Sequence, residues 1–152
     1  MNPISALLPV SNIVVDLDVA TKADCFAAVG ALFARTAGLA QANVASSLAA
    51  REKLGSTGLG QGIAIPHGRI ARLAHAQGAF VRLRAPIAFD APDGKPVDQL
   101  FVLLVPEPAT DQHLQLLSEL AQMFSDRTFR ERLDAARTPA EIEAAFRGWQ
   151  PH

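Results

Sequence analysis

Residues 55–68 read GSTGLGQGIAIPHG, a glycine-rich loop that runs into a short apolar segment followed by a proline and a histidine. Proline fixes its own φ, cannot donate to a strand ladder and favours extended geometry in the preceding residue. The pattern therefore predicts a strand over residues 63–65 that stops at Pro66 and displays His67 at its end. Gly68 would allow a sharp turn behind the ring. Imidazole titrates near neutral pH and can act as a nucleophile, which makes His67 a candidate for chemistry; a structural histidine in a turn is the alternative.

The surroundings of His67 carry a local positive charge. Four basic residues and one acid lie between positions 51 and 72, namely Arg51, Lys53, Arg69, Arg72 and Glu52. The local formal charge is therefore +3, whereas the whole chain carries −1. Basic side chains, loop N–H groups and two hydroxyls together resemble an anion cradle, and phosphate is the anion we expect. The candidate phosphoryl-binding residues are Ser56, Thr57, Gly68 and Arg69.

Other motifs that use glycine or a nucleophile do not fit. The glycines precede a strand, whereas a dinucleotide fingerprint follows one, and no Gly-Lys-Ser/Thr sequence completes a P-loop. A hydrolase elbow needs glycine two residues before its serine, where Leu54 stands. No histidine pair has the spacing of metal ligands, Cys25 is the lone cysteine, and basic surroundings repel a cation. We therefore predict neither a metal nor a cofactor.

The segment from Arg51 to Gly68 resembles the active-site region of a known family. Its pattern is REKxGSTGxGxGIAIPHG, where x marks the three variable positions. It is similar to fructose/mannitol-type EIIA proteins of the bacterial phosphotransferase system, and most similar to their nitrogen-regulatory branch. The similarity continues through PIAFDA at 86–91, PVD at 96–98, LLVP at 103–106 and His113-Leu114, so it covers most of the chain. The resemblance implies that His67 accepts a phosphoryl group at Nε2, and that His113 and Arg51 complete the catalytic set.

The residues themselves also support a place for Arg51 at the site. Val44, Leu48 and Arg51 fall at i, i+4 and i+7 of a helix predicted over residues 42–53, so the arginine shares the buried stripe. Gly55 is a plausible end signal, which puts Arg51 in the last turn before the loop. A guanidinium fork suits phosphoryl oxygens. The alternative is an arginine that snorkels from the edge of the core.

His113 has a similar argument. It follows Thr110, a good helix cap, and Leu114, Leu117 and Phe124 supply helical periodicity, so it is predicted in the first turn of a helix. A helix N-terminus disfavours imidazolium, and a neutral ring there can still offer one N–H to a phosphoryl oxygen. The alternative is a polar residue that faces water. His75 and His152 lack such a context and are interpreted as surface or terminal residues.

Composition is that of a small globular protein. The 152 residues are 49% hydrophobic and 19% charged, which predicts one domain over 1–152. The longest apolar run, Leu100–Val105, has six residues, against roughly 20 for a membrane-spanning helix. The single cysteine and the absence of a basic leader favour a cytoplasmic location, and the small net charge argues against nucleic-acid binding.

Strands and helices alternate along the chain. The patterns predict strands near 13–17, 63–65, 79–83 and 100–105, and helices near 22–36, 42–53, 113–124, 129–136 and 139–146. Leu100–Val105 reads as a strand covered on both faces. Helices before and after a block of strands imply an α/β fold, a three-layer α/β/α sandwich around a mixed central sheet of about five strands. The family resemblance implies the same architecture.

The function expected from the sequence is phosphoryl transfer by a component of a phosphotransferase. The resemblance implies a phosphohistidine protein of a nitrogen-regulatory system that accepts its phosphoryl group from a phosphorylated HPr-like carrier. It would then regulate partner proteins, such as kinases or ion transporters, according to its phosphorylation state. A regulatory binding module around His67 is the second class of function. A stand-alone sugar-specific EIIA that passes the phosphoryl group to an EIIB protein is the alternative pathway.

Overall fold

A computed structural model describes residues 2–108 and 110–151, and within these ranges it contains six β-strands and five α-helices. The strands are β1 (Ile13–Leu17), β2 (Gly58–Gly60), β3 (Ile63–Ala64), β4 (His67–Ile70), β5 (Gln77–Ile87) and β6 (Val97–Pro106). The helices are α1 (Lys22–Ala37), α2 (Gln41–Lys53), α3 (Asp111–Ser125), α4 (Arg127–Ala135) and α5 (Pro139–Gly148). Two short 3₁₀ turns precede β1.

All six strands form one mixed sheet. Its order is β1-β5-β6-β3-β2, and β4 also pairs with β6. β1 runs parallel to β5, β5 and β6 are antiparallel, and both β3 and β4 run parallel to β6. β3 and β4 therefore follow one another along the same edge of β6, with Ile65 and Pro66 between them. This arrangement brings the chain segment that contains His67 against the middle of the sheet.

Strand β6 separates two hydrophobic cores. Alternate side chains of a strand point to opposite faces, and here Phe101, Leu103 and Val105 pack with α3, α4 and α5. Leu100, Val102 and Leu104 pack on the other face with α1 and α2. All six are buried, as expected for a continuous apolar strand with helices over both faces. The predicted three-layer α/β/α architecture is confirmed, with six strands instead of about five.

Local sequence signals explain most helix boundaries. Thr21 caps α1 by accepting the Asp24 N–H at 3.1 Å, and Gly38 ends that helix with φ of 69°. Thr138 and Glu141 form a capping box at the start of α5, where Pro139 takes the first helical position. No helix in the described part of the chain has the length and apolarity that a membrane crossing requires.

The structure corrects two expectations about the segment around His67. The strand over 63–65 does stop before Pro66, but His67 begins strand β4 instead of ending a strand. Gly68 lies inside β4, so the chain runs on without the predicted sharp turn. A Cβ at Gly68 would lie 2.3 Å from the Ser47 Oγ of α2, so the residue is needed for close approach of helix and strand.

Candidate functional site

The backbone around His67 is fixed by the sheet. His67 lies opposite Leu103 of β6 in the parallel register. The Leu103 N–H donates to the Pro66 carbonyl at 3.0 Å, so the ladder continues across the proline, which has no N–H of its own. The His67 side chain is half-buried. The imidazole is thus placed by strand backbone and not by a mobile loop.

Hydrogen bonds define the tautomer of His67. Its Nδ1 lies 3.0 Å from the Ile65 carbonyl oxygen. A carbonyl only accepts, so Nδ1 carries the proton and Nε2 carries the lone pair when the ring is neutral. The Arg51 Nε–H donates to Nε2 at 3.2 Å, which is consistent with that assignment. The nitrogen that can attack an electrophile is therefore Nε2.

The protein favours the neutral, nucleophilic form of this ring. Burial is the largest cause and lowers the pKa of His67 below 6.5, and the positive charge of Arg51 lowers that pKa further. The hydrogen bond to the Ile65 carbonyl and the charge of Glu52 act in the opposite direction. The net shift is downward, so the Nε2 lone pair is available at neutral pH.

Arg51 is held at two points. It lies in the last turn of α2, as predicted, and its side chain is half-buried. Its Nη1–H donates to the Gly55 carbonyl at 2.8 Å while its Nε–H contacts His67. Such contacts distinguish it from an arginine that only extends its stem from the core towards water. The guanidinium therefore lies where charge would develop on a group bound to Nε2.

His113 occupies the first turn of α3, as predicted. Its Nδ1 accepts the Thr110 N–H at 2.9 Å, so in the neutral ring the proton lies on Nε2. The ring is half-buried and lines the same cleft as His67. His113 thus offers one N–H donor to the cleft, whereas His67 offers one lone pair.

The cleft beside His67 has a volume of about 510 Å³. Twelve residues of α2, β4, β6, α3 and the loop after α2 line it: Ser47, Ala50, Arg51, Leu54, His67, Gly68, Arg69, Leu103, Val105, His113, Leu114 and Leu117. Leu54 is 84% exposed and Leu114 is 64% exposed. The site therefore combines a few polar groups at His67 with an apolar rim open to solvent.

The structure does not bring all the candidate phosphoryl-binding residues to this cleft. Gly68 and Arg69 line it, but Ser56 and Thr57 do not. The Ser56 hydroxyl donates to the Phe89 carbonyl at 2.6 Å, and the Thr57 hydroxyl donates to the Glu52 carboxylate at 2.7 Å. Both hydroxyls are thus engaged in holding the loop.

Sequence reasoning missed the apolar rim. Leu114 contributes to the helical periodicity of α3, but it is one of the most exposed apolar side chains of the described residues. Its side chain lines the cleft instead of packing in the core. Leu54 follows the last turn of α2 and gave no periodic signal. His75 is exposed and not part of the cleft, and His152 lies outside the described residues.

No metal centre competes with this interpretation in residues 2–108 and 110–151, where no three histidine, cysteine or acidic side chains meet in a way that could hold an ion. Cys25 lies on the buried face of α1, and burial raises the pKa of its thiol to about 12. The side chains at the cleft that can donate or accept a proton or carry a positive charge are His67, His113, Arg51 and Arg69.

Comparisons with known proteins indicate the family of the chain. Residues 6–148 match the family described as "Phosphoenolpyruvate-dependent sugar phosphotransferase system, EIIA 2". A nitrogen regulatory protein from Pseudomonas aeruginosa is 55% identical over 92 residues, which are 60% of this chain and 60% of that protein's length. Another from Bradyrhizobium diazoefficiens is 38% identical over 140 residues, 92% of each chain.

A solved structure gives the same result in three dimensions. The crystal structure of nitrogen regulatory protein IIA-Ntr from Neisseria meningitidis matches with a TM-score of 0.88 at 51% identity. The match covers 95% of this chain and 99% of that chain. The resemblance drawn from residues 51–68 is confirmed by these matches.

Proposed function

Because the chain belongs to the EIIA 2 family of the sugar phosphotransferase system, we propose that it is a phosphohistidine transfer protein that accepts a phosphoryl group on Nε2 of His67. The observation that carries this proposal is the pair of contacts on the ring. Nδ1 is committed to the Ile65 carbonyl at 3.0 Å, and Nε2 faces the Arg51 guanidinium at 3.2 Å. A neutral nucleophile thus faces a fixed cation.

The proposed reaction is an exchange between two histidines. The Nε2 lone pair of His67 attacks the phosphorus of a phosphohistidine on an HPr-like carrier protein. The new N–P bond forms as the carrier's N–P bond breaks, and the carrier's ring nitrogen recovers its lone pair. Phosphoryl transfer depends on positioning and on stabilising charge over the transferred oxygens. Arg51, the Nε2–H of His113 and Arg69 are the proposed groups for that stabilisation.

The proposed output is regulation by surface charge. A phosphoryl group adds about −1.5 to −2 charge at neutral pH, and here it would appear between the exposed side chains of Leu54 and Leu114. A partner that packs on this apolar rim would meet a new anion in the phosphorylated protein only. The relatives named nitrogen regulatory proteins support a regulatory role. We propose cytoplasmic targets such as kinases or ion transporters.

The alternative is a sugar-specific EIIA, and the family description favours it because it names a sugar system. In that case the phosphoryl group would pass from His67 to an EIIB protein. The two pathways differ in what the phosphorylated protein does next. Phosphorylated protein mixed with an EIIB protein of the same cell should keep its phosphoryl group under our proposal, whereas rapid transfer would support the sugar pathway.

The direct test of the reaction is reconstitution. The protein is incubated with a phosphorylated HPr-like carrier from the same cell, and the intact mass and acid lability of the product are recorded. The wild type should gain one acid-labile phosphoryl group, and His67→Ala should gain none. His75→Ala is the matched control, because His75 is exposed and lies outside the cleft. An acid-labile phosphoryl group on His67→Ala at the wild-type rate would overturn the proposal.

A further inference from the structure

A buried carboxylate, that of Glu52, lies at the end of α2 next to the loop that follows this helix. The Glu52 side chain is only 6% exposed, although it carries a charge. It accepts the Thr57 hydroxyl at 2.7 Å and the Thr57 N–H at 3.1 Å, and it pairs with the Lys22 ammonium at 2.9 Å. Burial of a charge is costly unless donors compensate it, and these three donors do so. Glu52 therefore holds Thr57 from the last turn of α2.

The same cluster is tied to the rest of the domain. Lys22 is the first residue of α1, and its ammonium also lies 4.6 Å from the centroid of the Phe89 ring. The Phe89 carbonyl in turn accepts the Ser56 hydroxyl at 2.6 Å. The loop after α2 is thus fixed at two adjacent residues, Ser56 and Thr57, by partners outside it.

Gly55 lies inside the loop that Glu52 and Thr57 close. Its carbonyl accepts the Nη1–H of Arg51 at 2.8 Å. Side-chain packing does not hold Gly55 in place, because it is exposed and a Cβ added to it would meet no atom within 4 Å. Its N–H donates to the Glu52 carbonyl at 3.2 Å, so its backbone position depends on the end of α2 and on the other end of the loop, which Thr57 fixes. A displaced Gly55 carbonyl would release one of the two contacts that fix the Arg51 guanidinium.

We propose that the pair Glu52 and Thr57, here called the loop clasp, is a positioning device that keeps Arg51 directed at His67. This inference rests on the proposed phosphoryl transfer. Thr57 is then a positioning residue and does not touch the phosphoryl group, unlike the expectation from the sequence. An arriving phosphorus has to occupy the space beside Nε2 where the Arg51 Nε now lies. With Gly55 held by the loop clasp, the guanidinium can yield that space while it keeps its second anchor.

The inference predicts a change in rate and not in carrier binding. Glu52 and Thr57 are absent from the residues that line the cleft, so a carrier docked there would not touch them. A misplaced catalytic group slows the chemical step even when the substitution lies away from the reacting atoms. Loss of the loop clasp should therefore lower kcat for phosphoryl acceptance and leave KM for the carrier unchanged.

Three variants test this with the full chain and a phosphorylated HPr-like carrier. Thr57→Val removes the hydroxyl at nearly constant volume, and we expect kcat to fall about tenfold or more with KM within about twofold. Thr57→Ser keeps the hydroxyl and should restore kcat. Thr138→Val is the matched control, because the Thr138 hydroxyl donates to the Glu141 carboxylate at 3.0 Å in the cap of α5, away from the cleft. It should leave both constants unchanged.

A spectroscopic readout separates this inference from the proposed function. The Arg51 Nε–H should give a distinct NMR signal in the wild type, and this signal should broaden or shift in Thr57→Val but not in Thr57→Ser. That experiment needs no phosphoryl transfer, so it tests the loop clasp even if His67 were found not to accept a phosphoryl group. If Thr57→Val does not fold, kcat and the Arg51 NMR signal are measured in Glu52→Gln instead. The amide NH₂ of this variant would replace a carboxylate oxygen that accepts hydrogen bonds from Thr57 and Lys22. A folded variant with wild-type kcat and an unchanged Arg51 signal would overturn the inference.

Discussion

The two sides of His67 differ in polarity and in burial: one side has buried polar side chains, and the other has exposed apolar ones. Behind the ring, in the loop after α2, polar groups are buried and bonded to one another, as in the contacts of Glu52 with Lys22 and Thr57. In front of the ring, Leu54 and Leu114 are exposed and have no core to pack against. The inner side therefore holds the geometry of the site, whereas the outer side is free to meet another protein. Substitutions on the two sides should accordingly change different constants.

The largest effect after loss of His67 itself should come from Arg51, which joins the two sides. Arg51→Ala should slow phosphoryl acceptance by about 10²-fold or more, since it removes a fixed cation from the transition state. Stability should change little because alanine favours a helix. Lys53→Ala is the control, since Lys53 is exposed in the same turn and does not line the cleft. Normal transfer together with a much lower melting temperature would instead indicate a structural arginine.

His113 should have a smaller effect that depends on its donor. His113→Ala removes the N–H that faces the cleft, whereas His113→Gln retains a donor of similar reach. We expect about a tenfold loss of transfer rate or more for alanine, a smaller loss for glutamine, and the phosphoryl group on His67 in both. The rates and the labelled peptide are measured after single turnover. Equal, unimpaired rates in the two variants would remove His113 from the mechanism.

The exposed side should affect carrier binding. Leu54→Ser and Leu114→Ser should each raise KM for the carrier about tenfold, because burying a leucine at an interface is worth about 1.5 kcal/mol or more. kcat and the melting temperature should stay near wild type, since both side chains are solvent-exposed. Val10→Ser, at an exposed valine that does not line the cleft, should change neither constant. A fall in kcat without a change in KM would mean that the rim serves the chemistry.

The smallest effect concerns pH. Burial and Arg51 lower the pKa of His67 below 6.5, so most of the ring is still neutral when the pH falls to that value. The transfer rate should therefore decline at a lower pH than it would for a free imidazole. In the unfolded chain His67 takes up a proton near 6.5, so its contribution to stability is lost as the pH falls further. An NMR titration of His67 with a midpoint at or above 6.5 would contradict this.

The sequence predicted the fold where its patterns were long. Leu100–Val105 indicated a strand buried on both faces, and the helices predicted near 22–36 and 139–146 begin where α1 and α5 begin. The path of the chain around His67 was harder to predict. From the sequence alone, Pro66 looks like the end of a strand, although β3 and β4 on either side of it both pair in parallel with β6. Only the pairing of His67 with Leu103, which is far away in sequence, shows that the chain continues along β6.

The site was predictable in its chemistry and less so in its geometry. His67, Arg51 and His113 do meet at one cleft, as the local charge and helix periodicity suggested. From the sequence alone, a hydroxyl in a glycine-rich loop suggests anion binding whether it faces the cleft or the protein interior. The Thr57 hydroxyl faces inward because it bonds to Glu52, whose carboxylate is buried against Lys22. Such a contact depends on tertiary packing that no local pattern specifies.

The central claim is that Nε2 of His67 is the atom that bonds to phosphorus. The most direct measurement is a phosphorus–nitrogen correlation NMR spectrum of the protein labelled with ¹⁵N-histidine and phosphorylated by its carrier. We predict one correlation, from phosphorus to Nε2 of His67, while Nδ1 keeps the proton that it donates to the Ile65 carbonyl. A correlation to Nδ1 of His67, or to either nitrogen of His113, would contradict the account.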